Sequence, residues 1–309
     1  MKHKHHFLIL ISFLLFLFSC KKKEEAAPLP SLTEYLQSQT DLSLFNTALD
    51  QAQLQLFKNG PGPFTWFAPT NAAFAAAGIN ADSINRMKPG DLSYIILYHM
   101  INTRFASNEM VAQNSFPRTT QMGAALYVGR RSTDFFINGA TITSADNEVA
   151  GGLVHKINRI LIPPALTGNL QVVLSRTGQH SLFIAALTRA TGNRWTQFST
   201  TSVFTILAPT DAAMNNAGLT SAVIATTTPA KLDSIVRYHY FNSTRLFTND
   251  FVSNTQTPQT ALGAGRTITA LNNGNQLRGK NNTAPVNLTV KDIHATNGVV
   301  HIIDGVLNY

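Results

Sequence analysis

Short runs of apolar, β-prone residues alternate along this chain with stretches whose apolar positions recur every three or four residues, and one such junction occurs twice. Phe64-Thr65-Trp66-Phe67-Ala68-Pro69-Thr70-Asn71-Ala72-Ala73-Phe74 returns 140 positions later as Phe204-Thr205-Ile206-Leu207-Ala208-Pro209-Thr210-Asp211-Ala212-Ala213-Met214. Each copy predicts a buried strand that stops at a proline, which disfavours helix in the residue before it, and restarts as a helix capped by Thr70 or Thr210. Asp211 would add a negative charge in the first turn of its helix, where the macrodipole favours it, and Gly78 and Gly218 supply the stops.

The rest of the chain repeats with the junction. From Ser31, residues Leu32, Leu36, Leu42, Phe45 and Leu49 follow helical spacing, and the turn Gly60-Pro61-Gly62-Pro63 leads into the first strand. Lys88-Pro89-Gly90-Asp91 opens a further helix, in which Leu92, Ile95, Ile96 and His99 fall at i, i+3, i+4 and i+7, matched later by Leu232, Ile235, Val236 and His239. After about Phe116 the pattern turns to short β-rich runs such as 125–128 and 134–137. Each repeat closes on an apolar strand, Gly152-Leu153-Val154-His155 in the first and Gly298-Val299-Val300-His301 in the second. Pro163-Pro164 breaks structure at the seam, and helical spacing resumes through Leu170, Val173, Leu174, Leu182, Ile184 and Leu187. A period near 140 residues is too long for a solenoid. The chain therefore reads as two whole domains in tandem, 31–164 and 165–309.

Residues 1–20 read as an export signal, with Lys2 and Lys4 ahead of an apolar run from Phe7 to Phe18 that is short for a membrane span. The run ends in Leu17-Phe18-Ser19-Cys20, which resembles a bacterial lipobox; Cys20, the only cysteine, would then be acylated and become the mature N-terminus. Residues 21–30, charged and proline-bearing, read as a tether, and Lys-Glu-Glu behind the cysteine resembles a Bacteroidetes surface-export signal. These features predict a lipid-anchored protein of the outer membrane, exposed at the surface or facing the periplasm.

A composition of 44% hydrophobic and only 13% charged residues supports two full cores rather than disorder. Charge divides the halves. Residues 31–164 hold nine basic and nine acidic residues, whereas 165–309 hold ten and five, an excess of five. Arg266, Arg278, Lys280 and Lys291 fall in the β-rich part of the second domain and form the expected contact region for an acidic ligand. The cations lack clustering and aromatic interleaving, which argues against nucleic acid. Helical and strand spacing points His99, His155, His239 and His301 inward, as structural groups. No metal-ligand spacing, nucleotide loop or nucleophile elbow accompanies them, so neither cofactor nor metal nor enzymatic activity is expected. Ser83 and Ser234, each in an Asp-Ser-Ile triplet, match a short O-glycosylation pattern.

Three boxes carry a resemblance: Phe-Thr-x-x-Ala-Pro-Thr-(Asn/Asp)-Ala-Ala, the pairs Tyr98-His99 and Tyr238-His239, and the closing Gly-x-Val-His strand. In this order and spacing, in both repeats, they resemble the fasciclin-like (FAS1) domain. Met214 departs from the usual aromatic, and Gly151 and Asn158 stand where the second repeat keeps Asn297 and Asp304. The resemblance implies an α+β fold in each domain, with a wedge-like β-sandwich and packed helices, and adhesion or ligand binding rather than catalysis. It also implies an adhesive role for the Tyr-His region in animal members. The partners it suggests are an extracellular polysaccharide or an envelope protein; the alternative is a non-catalytic accessory lipoprotein of an outer-membrane glycan-uptake system.

Overall fold

The computed structural model describes residues 27–111 and 116–309; the expected signal peptide and Cys20 lie outside them. Domain 1 begins with helices α1 (Leu32–Ser38), α2 (Ser43–Gln51) and α3 (Gln55–Lys58), followed by strand β1 (Phe64–Pro69). Helices α4 (Asn71–Ala76), α5 (Ala81–Arg86) and α6 (Pro89–Leu97) come next, then β2 (Met100–Ile101), β3 (Phe116–Thr119), β4 (Ala125–Arg131), β5 (Asp134–Ile137), β6 (Ala140–Val149) and β7 (Gly152–Ile157). Domain 2 repeats the plan: α7 (Pro164–Thr167), α8 (Leu170–Arg176), α9 (Ser181–Arg189), β8 (Phe204–Pro209), α10 (Asp211–Asn216), α11 (Ser221–Thr226) and α12 (Pro229–Arg237). Strands β9 (Tyr240–Asn242), β10 (Thr269–Leu271), β11 (Gln276–Arg278), β12 (Val286–Ala295) and β13 (Gly298–Ile303) complete it.

Each domain has its own sheet, ordered β2-β1-β7-β6-β5-β4-β3 in the first and β10-β11-β12-β13-β8-β9 in the second. The organising stretch lies inside both, one strand in from an edge. β1 runs parallel to β7, with Phe64 opposite Gly152, and β8 runs parallel to β13, with Phe204 opposite Gly298; the other pairings are antiparallel. Both first strands are buried along their whole length, because helices cover one face and the curl of the sheet covers the other. Alternation divides the work. Phe64, Trp66 and Ala68 join the helical core with Phe45 and Ile96, whereas Phe67 joins Leu126, Val128 and Ile137 on the other side. In domain 2 Phe204, Ile206 and Ala208 face the helices, and Leu207 faces Ile268 and Leu277.

The polar residues of the box secure the turns. Thr65 and Thr205, wholly buried, donate to the Thr103 and Thr244 carbonyls at 2.8 and 2.9 Å and accept from the Phe105 and Leu246 amides, both at 2.8 Å. Thr70 and Thr210 cap α4 and α10 through the Ala73 and Ala213 amides. Gly78 and Gly218 follow those helices with φ of +70° and +75°. Asp211 does more than sit in a first turn: its carboxylate accepts from the Leu182 amide (2.8 Å) and the Ser181 hydroxyl (2.7 Å) at the start of α9. Met214 replaces Phe74 within the core, both nearly inaccessible to solvent.

The helical spacing from Leu32 to Leu49 belongs to two α-helices separated by a 3-10 turn at 40–42. One expectation needs correction. His99 and His239 lie one residue beyond the caps of α6 and α12, not on the helices themselves, because the chain turns there into β2 and β9. Ser83 and Ser234 are both helical, in α5 and α12, and both half-buried. Ser83 is bonded through its amide and hydroxyl to the Asn80 side chain (both 2.9 Å), and the Ile84 beside it is fully buried.

The departures at Gly151 and Asn297 have a physical basis. Asn297 is buried; its Oδ1 accepts from the Leu170 amide (2.9 Å), and its Nδ2 donates to the Phe198 and Thr200 carbonyls (2.9 and 2.8 Å). In domain 1 the Pro61-Gly62 backbone comes so close to Gly151 that a Cβ there would lie 2.7 Å from the Pro61 oxygen, at a φ of +92°. Asn297→Ala should lower the stability of domain 2 by about 2–3 kcal/mol, since it orphans one buried donor and two acceptors. Denaturant unfolding monitored at Trp195, the only tryptophan of domain 2, measures the change.

Candidate functional site

The four histidines that recur at matched positions, His99, His155, His239 and His301, are all wholly buried. His99 Nδ1–H donates to the Ile95 carbonyl (2.9 Å) and its Nε2 accepts from the Leu161 amide (2.9 Å); His239 does the same with Ile235 (2.8 Å) and Leu307 (2.9 Å). Each imidazole thus bonds the end of a helix to the segment beyond the closing strand, and burial lowers both pKa values to about 4. His155 and His301 form a second matched pair. Their Nε2–H groups donate to the Phe105 and Leu246 carbonyls (2.9 and 2.8 Å), and their Nδ1 atoms accept from the amides of Asp146 and Asp292 (3.1 and 3.2 Å). Burial lowers these values too. Every ring nitrogen of the four is engaged with backbone.

Asp146 and Asp292 were not singled out by the sequence, although each stands nine residues before a closing-strand histidine. Both occupy a bulge with φ of +57° and +58° and cap a short 3-10 helix, Asp146 accepting from the Ser107 amide (2.8 Å) and Asp292 from the Thr248 amide (2.6 Å). Beyond that they diverge. Asp146 stays half-exposed, whereas the Asp292 carboxylate is covered by domain 1, whose Arg159 reaches it at 2.8 Å. Around this ion pair the domains meet. Tyr98, of the Tyr-His pair, has its hydroxyl 3.1 Å from His294 Nδ1 and accepts from Asn138 Nδ2 at 2.9 Å. Tyr127 packs on Phe247 and His294, with ring centroids 5.8 and 5.5 Å apart, and Arg245 lies over the Tyr127 ring. Gly139 is needed here, because a Cβ would come within 2.4 Å of the Asp292 carboxylate. Burial pushes the Tyr98 pKa up and brings that of His294 down to about 3, so both are neutral in the contact.

A groove of about 600 Å³ runs along this junction, lined by alanines of α4, Phe136, Asn273 and Asn275. Its charged groups are already occupied. Arg159 holds Asp292, Arg131 donates to the Asn249 carbonyl (3.3 Å), and the Lys291 ammonium donates to Asn275 Oδ1. This corrects one expectation: Lys291 belongs to β12 at the domain junction, apart from the other three cations with which it was grouped.

Those three converge. Arg266, Arg278 and Lys280 line a cleft of about 400 Å³ together with Tyr238, Gln256 and Thr269, and no carboxylate is among its lining residues. The cleft exists because the β11–β12 connection is long, residues 279–285, where domain 1 passes from β5 to β6 through Asn138-Gly139. At its floor the Tyr238 hydroxyl donates to the Thr267 carbonyl (2.6 Å) and accepts from the Lys280 amide (3.2 Å). Tyr309 packs edge-on against Tyr238 (5.8 Å), and Arg266 lies over the Tyr309 ring at 5.7 Å. Arg278 and Lys280 are exposed and Arg266 half-buried, so their charges face solvent. Among the described residues no group of three His, Cys, Asp or Glu side chains is placed to hold a metal, and no helix is long and apolar enough to cross a membrane.

The profile of the family described as Fasciclin domain matches residues 40–163 and 178–309. Mouse Stabilin-2 is 24% identical over 274 residues, covering 87% of this chain and 10% of that protein. Rabbit Transforming growth factor-beta-induced protein ig-h3 is 25% identical over 292 residues, covering 91% of this chain and 40% of that protein. The chain thus spans well under half the length of either. Protein sll1483 of Synechocystis is 29% identical over 136 residues, 43% of this chain and 74% of that protein. A solved FAS1 domain pair from the insect cell adhesion molecule Fasciclin I covers 86% of this chain, and the chain covers 96% of it, at 20% identity and a TM-score of 0.39.

The buried histidines make stability depend on pH in one direction. Their pKa values are lower folded than unfolded, so between about 6.5 and 4 the unfolded chain binds protons that the native chain does not. Their contribution is complete above about pH 6.5 and should fall away as the pH drops towards 4. Thermal melts at pH 7 and pH 4.5 should show a lower melting temperature in acid, and His239→Gln should reduce both the stability at pH 7 and its acid dependence. Truncating His99 or His239 to alanine should cost about 1–3 kcal/mol at pH 7.

Proposed function

The chain belongs to the fasciclin-domain family, and from that premise we propose that it is a cell-envelope adhesion protein, lipid-anchored at Cys20, whose second domain holds acidic ligands. FAS1 domains occur in adhesion proteins, as in the insect molecule above, and that supports binding rather than catalysis. The observation that carries the ligand class is the convergence of Arg266, Arg278 and Lys280 on one cleft with no opposing carboxylate. Three cations held a short distance apart attract a polyanion and repel none of its charges. An extracellular acidic polysaccharide, with a carboxylate or sulfate on successive sugars, fits this arrangement. The histidines of the Tyr-His pairs take no part in contact with a ligand, because both imidazoles are spent on backbone; Tyr98 is covered by domain 2, and Tyr238 lies at the floor of the cleft with its hydroxyl held by the Thr267 carbonyl and the Lys280 amide. Placement at the outer membrane follows from the lipobox-like Leu17-Phe18-Ser19-Cys20 and the tether behind it.

Binding of acidic and neutral polysaccharides at two salt concentrations tests the ligand class. The acidic polymer should bind more tightly and weaken as salt rises, because exposed charges are screened over about 8 Å at physiological ionic strength. Arg278→Glu should abolish the preference, and equal affinity for both polymers would defeat this assignment. The anchor has a separate test. Cys20→Ala, if still exported, should leave the membrane fraction, since acyl chains on that residue are the proposed attachment.

A further inference from the structure

Because the chain is duplicated, each of the two faces through which its domains meet is present twice, once used and once open. Domain 1 contributes Tyr98, Tyr127, Asn138 and Gly139 to the junction. The matching strand registers put Tyr238, Thr269, Arg278 and Gly279 at those places in domain 2. All four line the cationic cleft, Arg278 exposed and Thr269 half-buried, with Tyr238 and Gly279 covered by Tyr309, Asn282 and Asn308 of the same domain. Domain 2 contributes Arg245, Phe247, Asp292 and His294. The same registers and the same threonine and histidine bonds put Arg104, Ala106, Asp146 and Glu148 at those places in domain 1. That face is also open and carries an acidic excess: Asp146, Glu148 and the neighbouring Glu109 against Arg104, which is paired with Glu148.

We propose that the cleft of domain 2 receives domain 1 of a second copy of this chain, through the faces that correspond to those by which the two domains meet within one and held by the exposed charges of Arg278 and Glu148. The proposal rests on the reading of this cleft as the protein's binding surface, and it names the partner. The charges are complementary where the inner junction is neutral. Asn138 becomes Arg278 and His294 becomes Glu148, so a neutral pair of positions inside the chain is replaced by an opposite-charge pair between chains. The inner ion pair changes in step. Gly305 stands where domain 1 has Arg159, and Arg278 takes over the cation. Asn138 shares a small cavity with Arg159, Asp292 and His294, so an arginine at the equivalent position lies beside the neighbour's Asp146. The chain enters both domains alike, and the difference at this face is the 279–285 loop, with Asn282 and Asn308 beside Gly279, where domain 1 has only Asn138-Gly139. The Ala150 amide donates to the Pro30 carbonyl (2.8 Å) as the Thr296 amide donates to Gly168 (2.9 Å), and the inner junction forms with that segment in place.

The contact joins different faces of identical molecules, so it is heterologous and adds copies in a line rather than closing a dimer. It lacks the Tyr127–Phe247 ring contact, replaced by Thr269 and Ala106, and is therefore weaker than the inner junction and more dependent on charge.

Residues 27–309 contain all four hydrophobic clusters and serve for the experiment. Sedimentation at low salt should show an average mass that rises with protein concentration and falls when salt is added. Arg278→Glu and Glu148→Lys, both at exposed positions, should each weaken association by roughly tenfold or more. An equimolar mixture of the two should restore it, since each variant's altered face then meets its complement. A mass that stays monomeric at low salt, or association indifferent to both reversals, overturns the proposal. Polysaccharide titration of the same samples separates it from the reading on which it rests. If the wild type is monomeric but Arg278→Glu loses acidic-polymer binding, the cleft is an anion site and the second copy is not its occupant. If the mixture restores association and no polymer binds, the second copy is the occupant and the polysaccharide assignment falls.

Discussion

In each domain the last strand lies parallel to the first, inside the sheet rather than at its edge, and both are buried on their two faces. A parallel neighbour cannot be reached by a hairpin, so everything between the strands is the crossover: three helices, and the antiparallel strands that curl away from the pair. Neither domain can bury its core before its closing strand arrives, some ninety residues after the first. The histidine bonds fasten that arrival. His99 and His239 accept from Leu161 and Leu307 just past the closing strand, and His155 and His301 project from it to carbonyls across the sheet. A side chain with a donor on one nitrogen and an acceptor on the other suits a place where two unlike backbone groups are left over, and burial keeps it neutral.

The copies agree wherever this closure is concerned and differ where the domains face something else. Thr65 and Thr205, Tyr98 and Tyr238, and Asp146 and Asp292 make equivalent bonds. By contrast Asn138 and Arg278, Glu148 and His294, and Arg159 and Gly305 all lie on the faces through which domains meet. The duplication therefore separates residues that make the fold from residues that select its neighbours. Charge follows the same division: the cations that give the second half its excess are not spread evenly, since three of them border one cleft.

The fold was legible because its signals are local. A strand that stops at proline, a threonine cap and a glycine stop lie within fifteen residues of one another, and seeing them twice removed the ambiguity that a single apolar run carries. The inward direction of the four histidines was legible for the same reason, from spacing alone, although the helix ends two residues sooner than the i+7 position implied. The junction between domains was not. Arg159 and Asp292 are 133 residues apart, and nothing in a periodic pattern says that they meet. The convergence of Arg266, Arg278 and Lys280 was half-visible as a local excess of charge, but Lys291 looked equivalent to them in the sequence. Only the structure shows that it lines the groove between the domains instead.

The Arg159–Asp292 pair shows how the junction is held to one arrangement. Asp146 performs the same internal task as Asp292, capping a 3-10 helix through its carboxylate and bonding a histidine through its amide, with its side chain half in water and no ion pair among the described residues. The arginine is therefore not needed by the domain; it is needed because domain 1 covers the carboxylate. Removing an ionised carboxylate from water costs several kcal/mol, and the attraction of one guanidinium, itself about a third exposed, roughly returns that cost. The pair adds little net affinity, but it penalises every other docking of the two domains, since any shift that withdraws Arg159 leaves Asp292 buried and unpaired. Shape supplies the rest: with Gly139 against the carboxylate and Tyr98 against His294, the surfaces fit in the one position that also satisfies the charge. The order of the domains is thus set by chemistry that either domain would fold without.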